Sequence, residues 1–264
     1  MLDVISFVND EKKAITEYVK AMEVKPRLAI ITDDKNFDAN QSYIRSKTRF
    51  ASDVGVECSV IVIKTGDVYL PKLDDYDGVI VQYPFRDYTF DEFREFVSAY
   101  VPPSKDVDGL TYGTNFVPCT PLGIYTYLEH LRVTHPALIG KKRLCVSVVG
   151  YGGLVGKPLV EMLEKDDRYS TVVTRSKTPE DVAKEYRDVA DVIVCATPKH
   201  NLFTSVEEGK VYVDCGCNLV EGKLLGNVSR ECYSDEALVT PVPGGVGRLT
   251  VLALFHTLLK ATGR

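Results

Sequence analysis

Residues 144–158 read LCVSVVGYGGLVGKP. An apolar run ends at Val149, glycines take over at Gly150, and a helical pattern follows from Gly156. A strand that runs into Gly-x-Gly and opens a helix brings backbone N–H groups close to a phosphate, and the helix N-terminus adds partial positive charge. The spacing is Gly150-x-Gly152 with the next glycine at Gly156, one residue longer than the usual dinucleotide fingerprint. The stretch therefore predicts a nucleotide-cofactor loop carried by Gly150, Tyr151, Gly152, Gly153 and Val155.

The rest of the chain supplies the context this loop needs. Apolar runs rich in Val and Ile recur at 27–33, 58–66, 78–85, 171–175, 191–197 and 211–216. Several are apolar on nearly every residue, the pattern of strands buried on both faces of a parallel sheet. Helical periodicity falls between them, at 10–22, 39–54, 89–100, 121–133, 156–165 and 179–188. Alternating strand and helix predicts an α/β fold. Thr120-Pro121 reads as a helix start, with Thr as N-cap and Pro in the first turn. A break falls near 134–142, between three strands with their helices and the glycine loop. The last stretch, 247–264, is a helical run after a Pro-Gly-Gly segment.

Composition bounds the function. The chain has 264 residues, a net charge of −5 and 45% hydrophobic residues; its pI is about 5.5. A protein that holds a nucleic-acid backbone usually carries a basic face, so the acidic balance argues against nucleic acid as a partner, with a local basic patch still open. No apolar run approaches the ~20 residues of a membrane helix, and the first residues lack the basic and apolar regions of a signal peptide. A cytoplasmic location with no membrane partner is expected. Seven cysteines, an odd number, argue against a disulfide framework. Cys215-Gly216-Cys217 is too tightly spaced for the usual zinc pair and reads as small residues in a strand, so no metal is expected.

The cofactor's identity is read about 20 residues beyond the loop, where NAD sites usually offer a carboxylate to the ribose hydroxyls. Thr174-Arg175-Ser176-Lys177 stands there. Cations and hydroxyls suit a 2′-phosphate, so NADP is expected, with NAD the alternative. Thr197 and Pro198, closing a later strand, complete the candidate cofactor set with Arg175 and Ser176.

Several further segments together resemble one family, the methylenetetrahydrofolate dehydrogenase/methenyltetrahydrofolate cyclohydrolases. They are Tyr43-Ile44-Arg45-Ser46-Lys47, Val81-Gln82-Tyr83-Pro84, Lys105-Asp106-Val107-Asp108-Gly109-Leu110, Pro118-Cys119-Thr120-Pro121-Leu122-Gly123, the glycine loop with Pro158, and Thr240-Pro241-Val242-Pro243-Gly244-Gly245-Val246-Gly247. They occur in the family's order and cover most of the chain. The resemblance implies an N-terminal α/β folate and catalytic domain, 1–136 completed by the helix 246–264, and a Rossmann-like NAD(P)-binding domain, 137–245, joined by long helices. It implies a cytoplasmic homodimer acting on tetrahydrofolate derivatives in one-carbon metabolism, with purine biosynthesis downstream. It also implies two reactions. A hydride leaves the folate's methylene bridge for the nicotinamide, and water then opens the methenyl cation to 10-formyltetrahydrofolate.

The residues agree with this chemistry. Tyr43 and Lys47 are four apart and share a helix face, so a ring can lie against a flat pterin while an amine reaches the reacting carbon. In the family, the lysine matching Lys47 assists the proton transfers of the hydrolytic step, and Gln82 is its hydrogen-bond partner. An amide donates and accepts without adding charge. The counterpart of Asp108 grips the pterin's amino-pyrimidine edge, whose two N–H donors match a carboxylate's two oxygens. Asp106 reads instead as a turn aspartate. Pro243, Gly244 and Gly245 offer the substrate backbone and close approach.

The chain departs from the family pattern at several places. Arg-Ser usually follows the first loop glycine; here Tyr151-Gly152 do, which removes a charge-assisted phosphate contact, so a rebuilt pocket with weaker discrimination against NAD is expected. The usual Gly-Pro-Met-Thr reads Gly247-Arg248-Leu249-Thr250. The segment from Gly109 to Pro118 is short, and Asn40 stands where serine is common. A dehydrogenase without the hydrolytic step, and a non-catalytic folate- or nucleotide-binding relative, are the competing readings.

Overall fold

A computed structural model describes residues 1–67, 70–136 and 141–263. The expected break at 134–142 falls partly outside them. The chain divides into two compact units: residues 10–119 with 251–264, and residues 1–9 with 120–250. The sequence expectation placed 120–136 and 246–250 with the folate domain. The contacts group them with the second unit, where Gly123 packs so closely on Leu249 that a Cβ would stand 2.5 Å from its carbonyl oxygen.

In the first unit a three-stranded parallel sheet has the order β2-β1-β3, with β1 Arg27–Asp33, β2 Glu57–Ile63 and β3 Gly78–Val81. The helices around it are α1 (Val4–Ala21), which begins in the other unit, α2 (Phe37–Val54), α3 (Phe90–Tyr100) and the C-terminal part of α7 (Val246–Ala261). β1 and β3 are buried along nearly their whole length, as their unbroken apolar runs predict. β2 differs: it and β3 both end the sheet order, but the 105–106 segment runs beside β3, whereas on β2 Val60 is 38% and Val62 44% exposed. An apolar run does not say what lies beside a strand. The core gathers Ala29, Ile31, Val79, Val81, Phe85, Phe93 and Val97. α2 buries Asn40, Ile44, Lys47, Phe50, Ala51 and Val54, a helical stripe in which two polar residues replace apolar ones. It stops at Gly55, whose φ of 81° is left-handed and whose N–H donates to the Ala51 carbonyl. α3 starts with a reciprocal capping box between Thr89 and Glu92.

In the second unit five parallel strands have the order β10-β7-β6-β4-β5. These are β4 Leu144–Val149, β5 Tyr169–Thr174, β6 Val192–Cys195, β7 Val211–Asp214 and β10 Leu238–Val239. α4 (Cys119–Thr134), α5 (Gly156–Leu163) and α6 (Glu180–Asp188) belong to this unit, as does a short antiparallel hairpin of β8 (Asn218–Val220) and β9 (Lys223–Leu225). The sheet order steps outward from β4 in both directions, placing the glycine loop at the carboxyl ends of the strands where the order reverses. In open α/β sheets that is where ligands bind.

The elements follow the sequence pattern with particular exceptions. The first helix starts at Val4, not residue 10, because Val4, Phe7 and Val8 are buried. Cys119 already belongs to α4, and the Thr120 hydroxyl pairs with that of Thr250 at 3.0 Å, so Thr120 is not an N-cap. Cys215 and Cys217 lie beyond the end of β7, Cys217 exposed. None of the seven cysteines forms a disulfide in the described structure. Among the described residues no group of three or more His, Cys, Asp or Glu is placed to hold a metal ion, and no helix is long and apolar enough to cross a membrane.

Candidate active site

The first unit brings together the four expected catalytic residues. Lys47 lies on the inner face of α2 and is 8% exposed. Its ammonium donates to Gln82 Oε1 at 2.6 Å, a charge-assisted hydrogen bond. Gln82 follows β3, and its backbone N–H continues the sheet ladder by donating to the Ile31 carbonyl at 2.8 Å. Its side-chain amide donates to the Tyr83 carbonyl at 3.0 Å, which fixes Oε1 toward the lysine. Tyr43, one turn before Lys47, is 48% exposed.

The Lys105–Gly109 segment runs beside β3. The Val79 N–H donates to the Lys105 carbonyl at 2.7 Å, and Val79 bridges Asp106 in parallel. Asp106 takes the turn role: its carboxylate accepts from the N–H groups of Gly109 at 3.1 Å and Thr111 at 2.6 Å. Gly109 has φ 75°, and a Cβ there would stand 2.7 Å from the Pro118 nitrogen, so only glycine fits. With Asp106 held in the turn, Asp108 faces other partners. Burial pushes its carboxyl up from the ordinary range, the Lys47 charge pulls it down, and Asp106 pushes it up further. The Cys119 thiol donates to the Val107 carbonyl at 3.1 Å and lies near enough to Asp108 to lower that carboxyl somewhat. Burial, with Asp108 next to it, pushes that thiol well up, so Cys119 is a neutral donor and not a nucleophile.

Two contacts here lie beyond the sequence reading. Pro118-Cys119-Thr120-Pro121 marks Cys119 only as part of a motif; its place beside Val107 and Asp108 needs the fold. Asn40 is noted from the sequence only as a departure. It is fully buried, and its amide donates to the carbonyl of Pro84 at 2.8 Å and the Thr32 hydroxyl at 3.1 Å. It therefore ties α2, which carries Tyr43 and Lys47, to the loop that carries Gln82.

The second unit gathers the expected cofactor residues. Gly150 has φ 99°, and a Cβ on it would stand 2.2 Å from the Ala196 carbonyl oxygen. At Gly156 a Cβ would meet the Gly150 oxygen at 2.5 Å, whereas at Gly152 it would meet nothing within 4 Å. The first and last glycines let the loop cross the sheet and start α5. Gly152, with Gly153 beside it, borders open space. Val155, the N-cap, makes no side-chain cap. The Lys157 N–H donates to the Gly153 carbonyl at 3.4 Å and the Leu159 N–H to the Val155 carbonyl at 3.1 Å, and Pro158 has no N–H, so in this turn the Gly156 N–H is the one left for another acceptor. The N–H groups of Gly150 and Tyr151 donate to the Thr174 carbonyl at 3.2 and 3.1 Å, so Arg175 and Ser176 start beside the loop.

Thr197 and Pro198 are held from the far side. The amide of Asn227, itself buried, donates to the carbonyl of Thr197 at 2.9 Å and to its hydroxyl at 3.0 Å. Asn227 is in turn pinned by Asp214 at the end of β7, whose carboxylate accepts from the N–H groups of Gly216, Asn227 and Val228, each at 2.8 Å. Neither Asp214 nor Asn227 stands out in the sequence; both look like turn residues.

Pro243-Gly244-Gly245 lies in this unit too. Gly244 has φ 110°, and a Cβ on Gly245 would stand 2.5 Å from the Pro241 oxygen. The first turn of α7 follows, its Arg248 N–H donating to the Gly245 carbonyl at 2.9 Å; the Arg248 side chain is exposed.

Residues 118–264 match the model of the tetrahydrofolate dehydrogenase/cyclohydrolase NAD(P)-binding domain. The chain belongs to this family. It is 34% identical to the bifunctional protein FolD of a Hydrogenobaculum strain, covering 99% of this chain and 98% of that one. Against the bifunctional protein FolD of Macrococcus caseolyticus it is 36% identical, with 93% and 90% covered. Among solved family members, the 5,10-methylenetetrahydrofolate dehydrogenase of the silkworm superposes with a TM-score of 0.82 at 25% identity, covering 98% of this chain and 96% of that one. The bifunctional FolD enzyme of Campylobacter jejuni gives a TM-score of 0.77 at 26% identity, with 99% and 97% covered. The family's two α/β domains and the order of its motifs are thus those of this chain along nearly its whole length.

Proposed function

We propose that this chain oxidises 5,10-methylenetetrahydrofolate to the methenyl form with NADP and hydrolyses the methenyl form to 10-formyltetrahydrofolate. The observation that carries the hydrolytic half is the 2.6 Å bond between Lys47 and Gln82 on a helix that also presents Tyr43. Tyr43 supplies a flat apolar surface for the pterin. Asp108 accepts from the pterin's paired N–H donors; burial pushes its carboxyl up, and the Lys47 charge and the Cys119 thiol oppose that rise. NADP supplies the hydride acceptor. Gly150, Tyr151, Gly152, Gly153 and Val155 would hold its diphosphate, Arg175 and Ser176 its 2′-phosphate, and Thr197 and Pro198 the neighbouring part of the cofactor. Pro243, Gly244 and Gly245 would border the folate.

In the hydrolytic step a water oxygen bonds to the methenyl carbon and loses a proton. The bond from that carbon to one folate nitrogen then breaks, and that nitrogen takes a proton. Lys47 is the buried lysine of this site among the described residues; its ammonium can give a proton to the departing nitrogen and, once neutral, its amine can take one from the attacking water, while the Gln82 amide can hold both the amine and the water. We further propose that the protein works as a cytoplasmic homodimer in one-carbon metabolism that feeds purine biosynthesis, and that residues 1–136 with 246–264 serve the folate and 137–245 the cofactor. The family resemblance supports these points.

The test is an initial-rate assay with methylenetetrahydrofolate and NADP that follows reduced cofactor and methenyl product separately. Cofactor reduction with little methenyl accumulation supports both activities. Stoichiometric methenyl accumulation leaves a dehydrogenase alone, and no reduction by folded protein leaves a binding protein.

A further inference from the structure

The glycine loop and the turn after β5 meet through two side chains. The Arg175 guanidinium lies over the Tyr151 ring, 4.7 Å from its centroid. Both residues stand on anchored backbone. The Tyr151 N–H donates to the Thr174 carbonyl at 3.1 Å. The Arg175 N–H donates to the Thr178 hydroxyl at 2.9 Å, and the Thr178 N–H returns to the Arg175 carbonyl at 3.0 Å. The pair therefore has a fixed separation at the base, and the ring limits where the long arginine side chain can go.

Tyr151 occupies the position where the family usually carries arginine. Read alone, that exchange removes a cation from the loop. The contact shows a different result: a cation from the neighbouring strand end lies on the ring that took its place. A guanidinium covered on one face by an aromatic ring keeps its in-plane N–H donors open, and those donors match the oxygens of a phosphate. Arg175 and the following Ser176 and Lys177 are exposed, so the donors face space a ligand can enter.

We infer that Tyr151 is a positioning residue that holds Arg175 for the 2′-phosphate of the cofactor, and that the stacked pair sets the preference for NADP over NAD. This rests on the cofactor reading proposed above. Without the ring, Arg175 samples many rotamers and the phosphate contact weakens. The NAD ribose offers a hydroxyl there and gains little from either residue.

The test is calorimetric titration of the folded protein with NADP and with NAD, read as the ratio of their dissociation constants. Arg175→Ala should shift that ratio against NADP by more than about tenfold, the size of a lost charge-assisted contact. Tyr151→Leu should shift it by roughly fivefold, the size of an exposed cation–π pair. Tyr151→Phe keeps the ring and should match the parent. Tyr151→Leu combined with Arg175→Ala should do no more than Arg175→Ala alone, since the tyrosine acts through the arginine. The parent's NADP affinity should fall as the pH drops below about 6, where a phosphate monoester loses its second charge, and Arg175→Ala should flatten that dependence. An unchanged ratio in Tyr151→Leu, or full multiplication of the two effects, overturns the inference. A parent that binds neither nucleotide overturns the cofactor reading itself. Thermal melts of each variant separate these outcomes from misfolding.

Discussion

Replacing Lys47 by Met tests the division of labour in the first unit. Met keeps most of the lysine's apolar stem and deletes the ammonium. The bond lost is the 2.6 Å contact to Gln82 Oε1. Gln82 is only half-buried, so water can replace the amine, and an apolar side chain in place of a buried cation is often neutral. The net change in folding stability is therefore expected to stay within about 2 kcal/mol, against the gross 1.5–3 kcal/mol of a charged hydrogen bond. Catalysis should change far more. A positioned general acid/base is worth about 10²- to 10⁴-fold, equal to roughly 2.7–5.5 kcal/mol of barrier, and the hydrolytic rate should fall by that factor. Hydride departure leaves a cation on the folate, and deleting a nearby ammonium removes repulsion, so the dehydrogenase rate should stay within about tenfold of the parent. Because the Lys47 charge also lowers the Asp108 carboxyl, the folate KM of the variant should rise on the acid side at a higher pH than in the parent. The assay follows NADPH and methenyltetrahydrofolate in the same reaction, with the hydrolytic step also started from the methenyl compound. A hydrolytic rate within about threefold of the parent, well short of the range for a general acid/base, refutes the role of Lys47. Equal loss of both rates refutes the division.

Further outcomes follow from the same geometry. Burial raises the Asp108 carboxyl above its unfolded value near about 3.9, so between those two pKa values the folded state holds more protons and stability falls as pH rises. Asp108→Asn should therefore be more stable than the parent at neutral pH in urea titrations while losing folate binding; equal stability would show the carboxylate is not strained. Asp166 shows the opposite sign: hydrogen bonds from Arg168 hold its carboxyl well below the usual range, so this contribution is present above about pH 4 and is lost as pH falls. Arg168→Ala should lower stability at pH 7 and narrow the gap to the parent in acid, with the surface exposure of Arg168 limiting the effect to about 1 kcal/mol. Asn40→Ala removes donors from Pro84 and Thr32 and should cost about 1–3 kcal/mol in urea denaturation, with a drop in hydrolytic rate as Gln82 loosens from α2; an unaltered rate would leave Asn40 a purely structural residue.

How much of this was legible in the chain depends on the range of the interaction. The unbroken apolar runs, the glycines at 150 and 156 and the four-residue step from Tyr43 to Lys47 are local patterns, and local patterns set strand, helix and the placement of a cofactor loop. The same patterns could not tell the edge strand β2 from the central β1, because neighbour count is not written in a strand's own residues. Nor could they start α1 at Val4, since its first turn is apolar only in relation to what covers it.

The sequence by itself thus determined the α/β class, the order of elements, the candidate residues and the lack of a carboxylate after β5. Only the tertiary structure decided who meets whom. Lys47 finds Gln82 across 35 positions, the Cys119 thiol reaches the Val107 carbonyl beside Asp108, and Arg175 lies on Tyr151 from the neighbouring strand. Each of these brings together groups that are not neighbours in the chain. Hydrogen bonds and ring contacts have a short reach, and only the packed sheets and helices bring such partners within it.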